Sequence, residues 1–270
     1  MDYLRAAVLG VVEGLTEFLP VSSTGHMILV EPLIGVDPNL PQWRVLLIVS
    51  QLGAILAVIA YFARDLWRRT TTIPAGGLRE HLVLKLAVGV APAMLIGVLI
   101  HDVMESYLQK PAPVAAALVF GGIGMILIDG RFRRESPGTL DDVTLRQAAA
   151  IGVIQCVSLW PGVSRSAATI MGGMIVGLSP RVSAEFSFYL AIPTMLAAGA
   201  YQLYSYRHDL TSDMMSVVLV GTATAFVTAL AVIAGFLRYV QRHRFTAFAV
   251  YRIILGAAVL AWFGLNGKAP

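Results

Sequence analysis

The chain has 270 residues, of which 57% are hydrophobic and only 13% charged, against roughly a quarter charged in soluble domains. Its mean hydropathy is +0.74, and 270 residues cannot enclose that much apolar side chain in a soluble core. The formal charge of +4 does not point to nucleic acid, because the basic residues sit in short loops between apolar runs. The single cysteine, Cys156, excludes an intrachain disulfide and reads as a small packing residue.

The N-terminal stretch is apolar but meets Glu13 and Glu17 at once and lacks a small-residue cleavage site, so it is not read as a removable leader. Segment 3–29 is interrupted by LPVSSTGH, and proline with small hydroxyl residues stops one helix and starts another. It is predicted to be helix, loop, helix. Segments 45–62, 82–100 and 113–129 follow as crossings, a helix of about 20 residues being enough to span a bilayer. The glycines of VFGGIGMIL (119–127) read as a close helix contact, since no strand precedes them to make a nucleotide loop. Segment 144–177 is broken again, by WPGVSRSAAT, and crossings 185–203, 214–237 and 246–264 complete the chain. The expected fold is therefore an all-α integral membrane protein in one domain, 1–270. It has six transmembrane helices plus two re-entrant helix-loop-helix pairs. Irregular backbone at membrane depth must be buried in protein or line a wet cavity.

The broken segments resemble each other at an offset of 142: Glu13 aligns with Gln155, Phe18 with Trp160, and Val21-Ser22 with Val163-Ser164. QLGAILAV (51–58) aligns loosely with EFSFYLAI (185–192). This implies a duplication with halves 1–135 and 140–270. Each half has three crossings, an odd number, so the second is expected to be inverted. Loop 63–80 carries Arg64, Arg68, Arg69 and Arg79; loop 130–146 carries Arg131, Arg133, Arg134 and Arg146; loop 238–245 carries Arg238, Arg242 and Arg244. The alternate loops hold at most Lys110 or Arg207, so the rich loops are expected on the cytoplasmic side, with both termini outside. Inverted repeats of this kind place a site where the two broken elements meet.

Ionisable groups inside apolar spans are costly and are functional candidates. Glu13 and Glu17 are four apart and share a helix face. They suit a hard divalent cation, Mg²⁺ or Ca²⁺, or a structural pair that caps loop amides. Ser22, Ser23 and Thr24 cap a new helix or face a ligand. Ser23 and His26 are three apart, so imidazole could serve serine as a base. Arg165 opens a helix after a loop, where free N–H groups and a planar donor fork suit phosphate oxygens. Ser164, Ser166 and Thr169 can add donors. Arg165 could equally neutralise Glu13 or Glu17. Gln51 and Glu185 are possible outer supports of the site, and Lys85 and Arg252 are expected to snorkel or pair.

At EGLTEFLPVSSTGH (13–26) and WPGVSRSAATI (160–170) the chain resembles the undecaprenyl-diphosphate phosphatase family linked to bacitracin resistance, as it does at QLGAILAV (51–58), SAEFSFYLA (183–191) and AVYRII (249–254). The resemblance implies a phosphatase of the bacterial cytoplasmic (inner) membrane. It would cleave undecaprenyl diphosphate to the monophosphate and inorganic phosphate, recycling the lipid carrier of cell-wall synthesis. It further implies a divalent cation and a site open to the periplasm. By matching positions, Glu13, Glu17, Ser23, His26 and Arg165 would be the functional residues, with Ser22, Thr24, Ser164, Ser166 and Thr169 near the substrate.

On that reading a metal at Glu13 and Glu17 and an anion clamp at Arg165 flank the diphosphate. Ser23 attacks with His26 as base, or a water attacks while His26 shuttles protons. The rival reading is a transporter or flippase for a polyprenyl phosphate lipid, since broken helices in inverted repeats are a carrier design. Partners are the lipid substrate and surrounding membrane lipids, with no nucleic acid. Small helix-packing residues would permit a homodimer.

Overall fold

A computed structural model describes residues 1–74, 76–103, 110–134, 138–209 and 211–265, with the side chains of 101–103, 111 and 263–265 outside the description. The boundary between the expected halves, at 135, also falls outside the described residues. Among the described residues the chain is helical and has no strand. The helices are α1 (Asp2–Thr16), α2 (Ser23–Leu33), α3 (Pro41–Tyr61), α4 (Ala63–Thr71), α5 (Leu82–Val103), α6 (Pro111–Phe132), α7 (Leu145–Gln155), α8 (Arg165–Ile175), α9 (Pro180–Ser205), α10 (Met215–Val240) and α11 (Thr246–Leu265).

Five stretches among the described residues are long and apolar enough to cross a membrane: Pro41–Tyr61, Leu82–Ile100, Ala112–Phe132, Pro180–Ser205 and Ser212–Val240. The protein is thus a multi-pass helical membrane protein. The sixth expected crossing, 246–264, falls on α11, which is helical to Leu265 but fully described only to Trp262; that shorter apolar stretch is not among the five. The crossings start earlier than hydropathy alone suggests. Pro41 and Pro180 occupy first helical turns, where the absent N–H costs nothing, and Ser179 caps Val182 N. Loop 63–80 holds a helix that was not foreseen, α4, with Arg68 and Arg69 in its last turn.

The two broken segments adopt matching backbones. Adding 142 to the bounds of α2, Ser23–Leu33, gives those of α8, Arg165–Ile175. Ser22 and Ser164, just before these helices, are the only non-glycine residues with positive φ among those described, at 72° and 74°. Each serine oxygen accepts from the backbone N–H three residues on, Gly25 and Ala167 respectively. Such backbone costs about 1–3 kcal/mol and persists only where surroundings enforce it. Both helices also end on a left-handed glycine, Gly35 and Gly177.

Packing crosses between the first and second parts of the chain. α1 lies chiefly along α10, α7 along α5, and α6 along α11. Gly10 and Gly152, 142 apart, make the first two contacts possible: a Cβ at Gly10 would strike the Gly221 carbonyl and Thr224, and one at Gly152 the Gly89 backbone. Gly121 and Gly122 likewise admit Arg252, Ala249 and Ile253 of α11. Beneath the loops, Phe18 and Phe188 meet edge to face in a core with Ile170, Met174, Ile233 and Phe236.

At the basic end, Arg69 bonds both Asp65 and Asp141, and Tyr189 donates to Asp65 at 2.7 Å. Lys85 is buried there and donates to the Asp141 carbonyl oxygen at 2.8 Å, so it pairs inward and does not snorkel.

Candidate active site

Two loops, Glu17–Ser22 and Trp160–Ser164, meet in the interior and place the N-terminal residues of α2 and α8 side by side. The Arg165 Nη2 donates to Glu17 Oε1 at 3.1 Å, and the Ser23 hydroxyl donates to Glu17 Oε2 at 2.8 Å. One carboxylate therefore joins the first residues of both helices, across 148 positions of sequence. The Arg165 Nη1 donates to the Ser187 carbonyl at 3.1 Å, and its guanidinium carbon stands 5.7 Å from the Phe18 ring centroid. Arg165 Nε is buried and has no partner among the described residues. The fork is thus held by α9 and Phe18 on one side and closed by Glu17 on the other.

Glu13 is 2% exposed, lies against Glu17, and its Oε1 has no partner among the described residues. An orphaned carboxylate oxygen beside a second carboxylate is the donor set a hard cation takes. No group of three or more acidic, histidine or cysteine side chains suited to a metal occurs among the described residues, so any cation here would complete its shell with water or phosphate oxygens. The two acids fit Mg²⁺ in that form. Gln155, at the place in the second segment that Glu13 has in the first, is also buried, with both amide atoms unpartnered among the described residues.

The expected Ser23–His26 pairing is not formed. The His26 Nδ1 lies 2.7 Å from the Ser22 carbonyl and its Nε2 2.7 Å from the Tyr251 hydroxyl, while Ser23 turns back to Glu17. On a helix, residues three apart meet only if both side chains point along the axis; here the Ser23 hydroxyl points instead to the Glu17 carboxylate of the preceding loop. Glu17 is the group that touches the serine hydroxyl.

The hydroxyls expected near substrate divide into two sets. Ser166 donates to the Leu19 carbonyl at 2.8 Å, and Thr169 contacts the Arg165 carbonyl at 2.9 Å and the Ser187 hydroxyl at 2.6 Å; both are buried and knit the loops together. Ser22 is a buried cap, and Ser164 lies 3.0 Å from Ser166. Thr24 is exposed at the start of α2.

Arg252 corrects a second expectation. It neither snorkels nor forms an ion pair among the described residues: it is 0% exposed and donates to four carbonyls, Pro20 (3.2 Å), Val163 (2.8 Å), Ala117 (3.2 Å) and Gly162 (3.1 Å). One guanidinium therefore staples both loops to α6. Glu185, expected as an outer support, pairs with Arg181 at 2.9 Å instead. Gln51 is half-buried on α3, with no side-chain hydrogen bond among the described residues. Tyr251, Phe18 and Ser187 were not foreseen as site residues. Tyr251 lies within AVYRII, where only its neighbour Arg252 carried a charge to draw notice.

A buried arginine, two carboxylates and a strained serine turn come together inside the apolar helices of a multi-pass membrane protein, where costly ionisable groups mark a candidate functional site. The chain belongs to the family described as Bacitracin resistance protein BacA, whose model matches residues 6–258. It is similar to proteins named undecaprenyl-diphosphatase: 41% identical to that of Pseudomonas fluorescens over 95% of this chain and 92% of the relative. It is 45% identical to that of Nitrosomonas eutropha over 98% of each, and 46% identical to that of Sorangium cellulosum over 96% and 86%.

Proposed function

We propose that the chain is an undecaprenyl-diphosphatase that hydrolyses the terminal phosphate of undecaprenyl diphosphate, giving undecaprenyl phosphate and inorganic phosphate. The observation that carries this reading is the Glu17 carboxylate held between Arg165 and Ser23 at 3.1 and 2.8 Å. A long apolar tail and a charged head suit a polar site set among lipid-facing helices, with the tail left in the bilayer.

The steps follow from these contacts. An incoming diphosphate replaces Glu17 on the Arg165 fork, which binds two phosphate oxygens where it held one carboxylate oxygen. Glu17, freed of its cation, is the stronger base and takes the Ser23 proton. The Ser23 oxygen bonds to the terminal phosphorus as the bridging P–O bond breaks, and undecaprenyl phosphate departs with the proton that Glu17 took from Ser23, which leaves Glu17 a carboxylate again. A water then attacks phosphoserine, its proton passes to Glu17, and phosphate leaves with the serine oxygen reprotonated. Glu13 and Glu17 would hold a divalent cation, whose charge offsets that of the phosphoryl oxygens.

The wider setting belongs to the same proposal. Six crossings and two re-entrant pairs in an inverted repeat fit the 142-residue correspondence of α2 with α8 and of Ser22 with Ser164. Arginine-rich loops at 63–80, 130–146 and 238–245 support a bacterial inner-membrane protein with those loops cytoplasmic and the site open to the periplasm.

Phosphate release from undecaprenyl diphosphate by purified protein in detergent tests the reading, because hydrolysis there needs no transport. Turnover is expected, with a labelled phosphoenzyme trapped in wild type and absent in Ser23→Ala. Turnover retained in Ser23→Ala would remove the serine route, and no release by wild type would remove the phosphatase.

A further inference from the structure

His26 is held at both ring nitrogens by groups outside the Glu17–Ser23–Arg165 cluster. A carbonyl oxygen only accepts, so the 2.7 Å contact with the Ser22 carbonyl places the hydrogen of neutral imidazole on Nδ1. The lone pair of Nε2 then faces Tyr251, whose hydroxyl at 2.7 Å must donate. The two rings lie almost parallel, 19° apart, with centroids separated by 5.5 Å. Tyr251 is thus both a hydrogen-bond donor and a wall for the imidazole.

The position of Tyr251 is itself fixed. The next residue on α11, Arg252, is anchored on the carbonyls of Pro20, Gly162 and Val163, so α11 cannot turn Tyr251 away without breaking bonds to both loops. At the other end of the chain of contacts, the acceptor is the carbonyl of Ser22, one of the two residues with strained backbone. The line Tyr251, His26, Ser22 therefore runs from a half-exposed hydroxyl to the peptide that carries Ser23.

We propose that Tyr251 is a positioning residue: its hydroxyl and ring fix the plane and tautomer of His26 and, through Nδ1–H, hold the Ser22–Ser23 peptide in place. The kinetic consequence rests on the phosphatase reading, but the structural one does not. Tyr251→Phe keeps the stacked ring and removes only the donor, and Tyr251→Leu removes both.

The test combines [¹⁵N]histidine-labelled full-length protein in detergent with steady-state phosphate release. The His26 signals are assigned by their loss in His26→Gln. In Tyr251→Phe the non-protonated Nε2 resonance is expected to move toward that of a free lone pair, and kcat to fall about tenfold with KM little changed, the effect of one lost hydrogen bond. In Tyr251→Leu the Nδ1 signal shifts as well. The kcat effect of Tyr251→Phe is expected to disappear in a His26→Gln background. An unmoved Nε2 resonance overturns the proposal, as does an equal loss in both backgrounds, which would mark Tyr251 as merely structural. If wild type releases no phosphate, the phosphatase reading fails while the resonances still decide on Tyr251.

Discussion

Replacing Arg165 by lysine isolates the geometry of the anion clamp from its charge. The guanidinium spans the Ser187 carbonyl and Glu17 with two different nitrogens, at 3.1 Å each, and its flat face rests on Phe18. A lysine ammonium is one point on a flexible stem and cannot hold the backbone anchor and present a planar pair of donors at once. At least one charge-assisted hydrogen bond to the transferring phosphoryl group is lost, about 1.5–3 kcal/mol. That corresponds to a fall of roughly one to two powers of ten in kcat/KM. The assay is phosphate release from undecaprenyl diphosphate over a range of substrate concentration, with thermal unfolding of the same samples to confirm that the fold is intact. Arg165→Gln, lacking the charge as well, should be worse in kcat/KM and in stability, since it leaves a carboxylate buried and unpaired. A lysine variant within about threefold of wild type would refute the clamp, because one good hydrogen bond to a charged group is worth more than that.

Two further outcomes follow from the same geometry. Ser22→Gly should equal or exceed wild type in melting temperature, relieving a backbone cost of about 1–3 kcal/mol while losing a few tenths from the cap. Ser22→Ala should fall below wild type by about 1 kcal/mol, since it keeps φ at 72° and loses the bond from Gly25 N; the opposite order would mean that the turn is not strained. Chelation should silence the purified protein and Mg²⁺ restore it, with Glu13→Gln raising the half-activating cation concentration about tenfold, or ~1.4 kcal/mol. An unchanged titration would take Glu13 out of the cation site.

Five of the six expected crossings were legible because lipid imposes length and apolarity on them, and the broken segments because Pro20 and Pro161 interrupt otherwise helical runs. The meeting of Arg165 with Glu17 could be anticipated, since a buried arginine and carboxylate have few other solutions. What escaped was orientation. Spacing put His26 within reach of Ser23, but it could not show that Tyr251, 225 residues away, would take one ring nitrogen and the Ser22 carbonyl the other. Arg252 looked like an end-of-helix cation because sequence gives no sign of four free carbonyls converging from two loops and α6. α4 was hidden by its charge, its apolar side being too short to register as a span.

The crosswise packing has a consequence for biogenesis. α1 ends at Thr16, but the groove that receives it is built by α10, which begins at Met215. A ribosome making this chain completes α1, with Glu13 on it, long before that covering helix exists. α1 therefore lacks its main packing partner until most of the polypeptide has been made, so burial of Glu13 depends on residues in the last third of the chain.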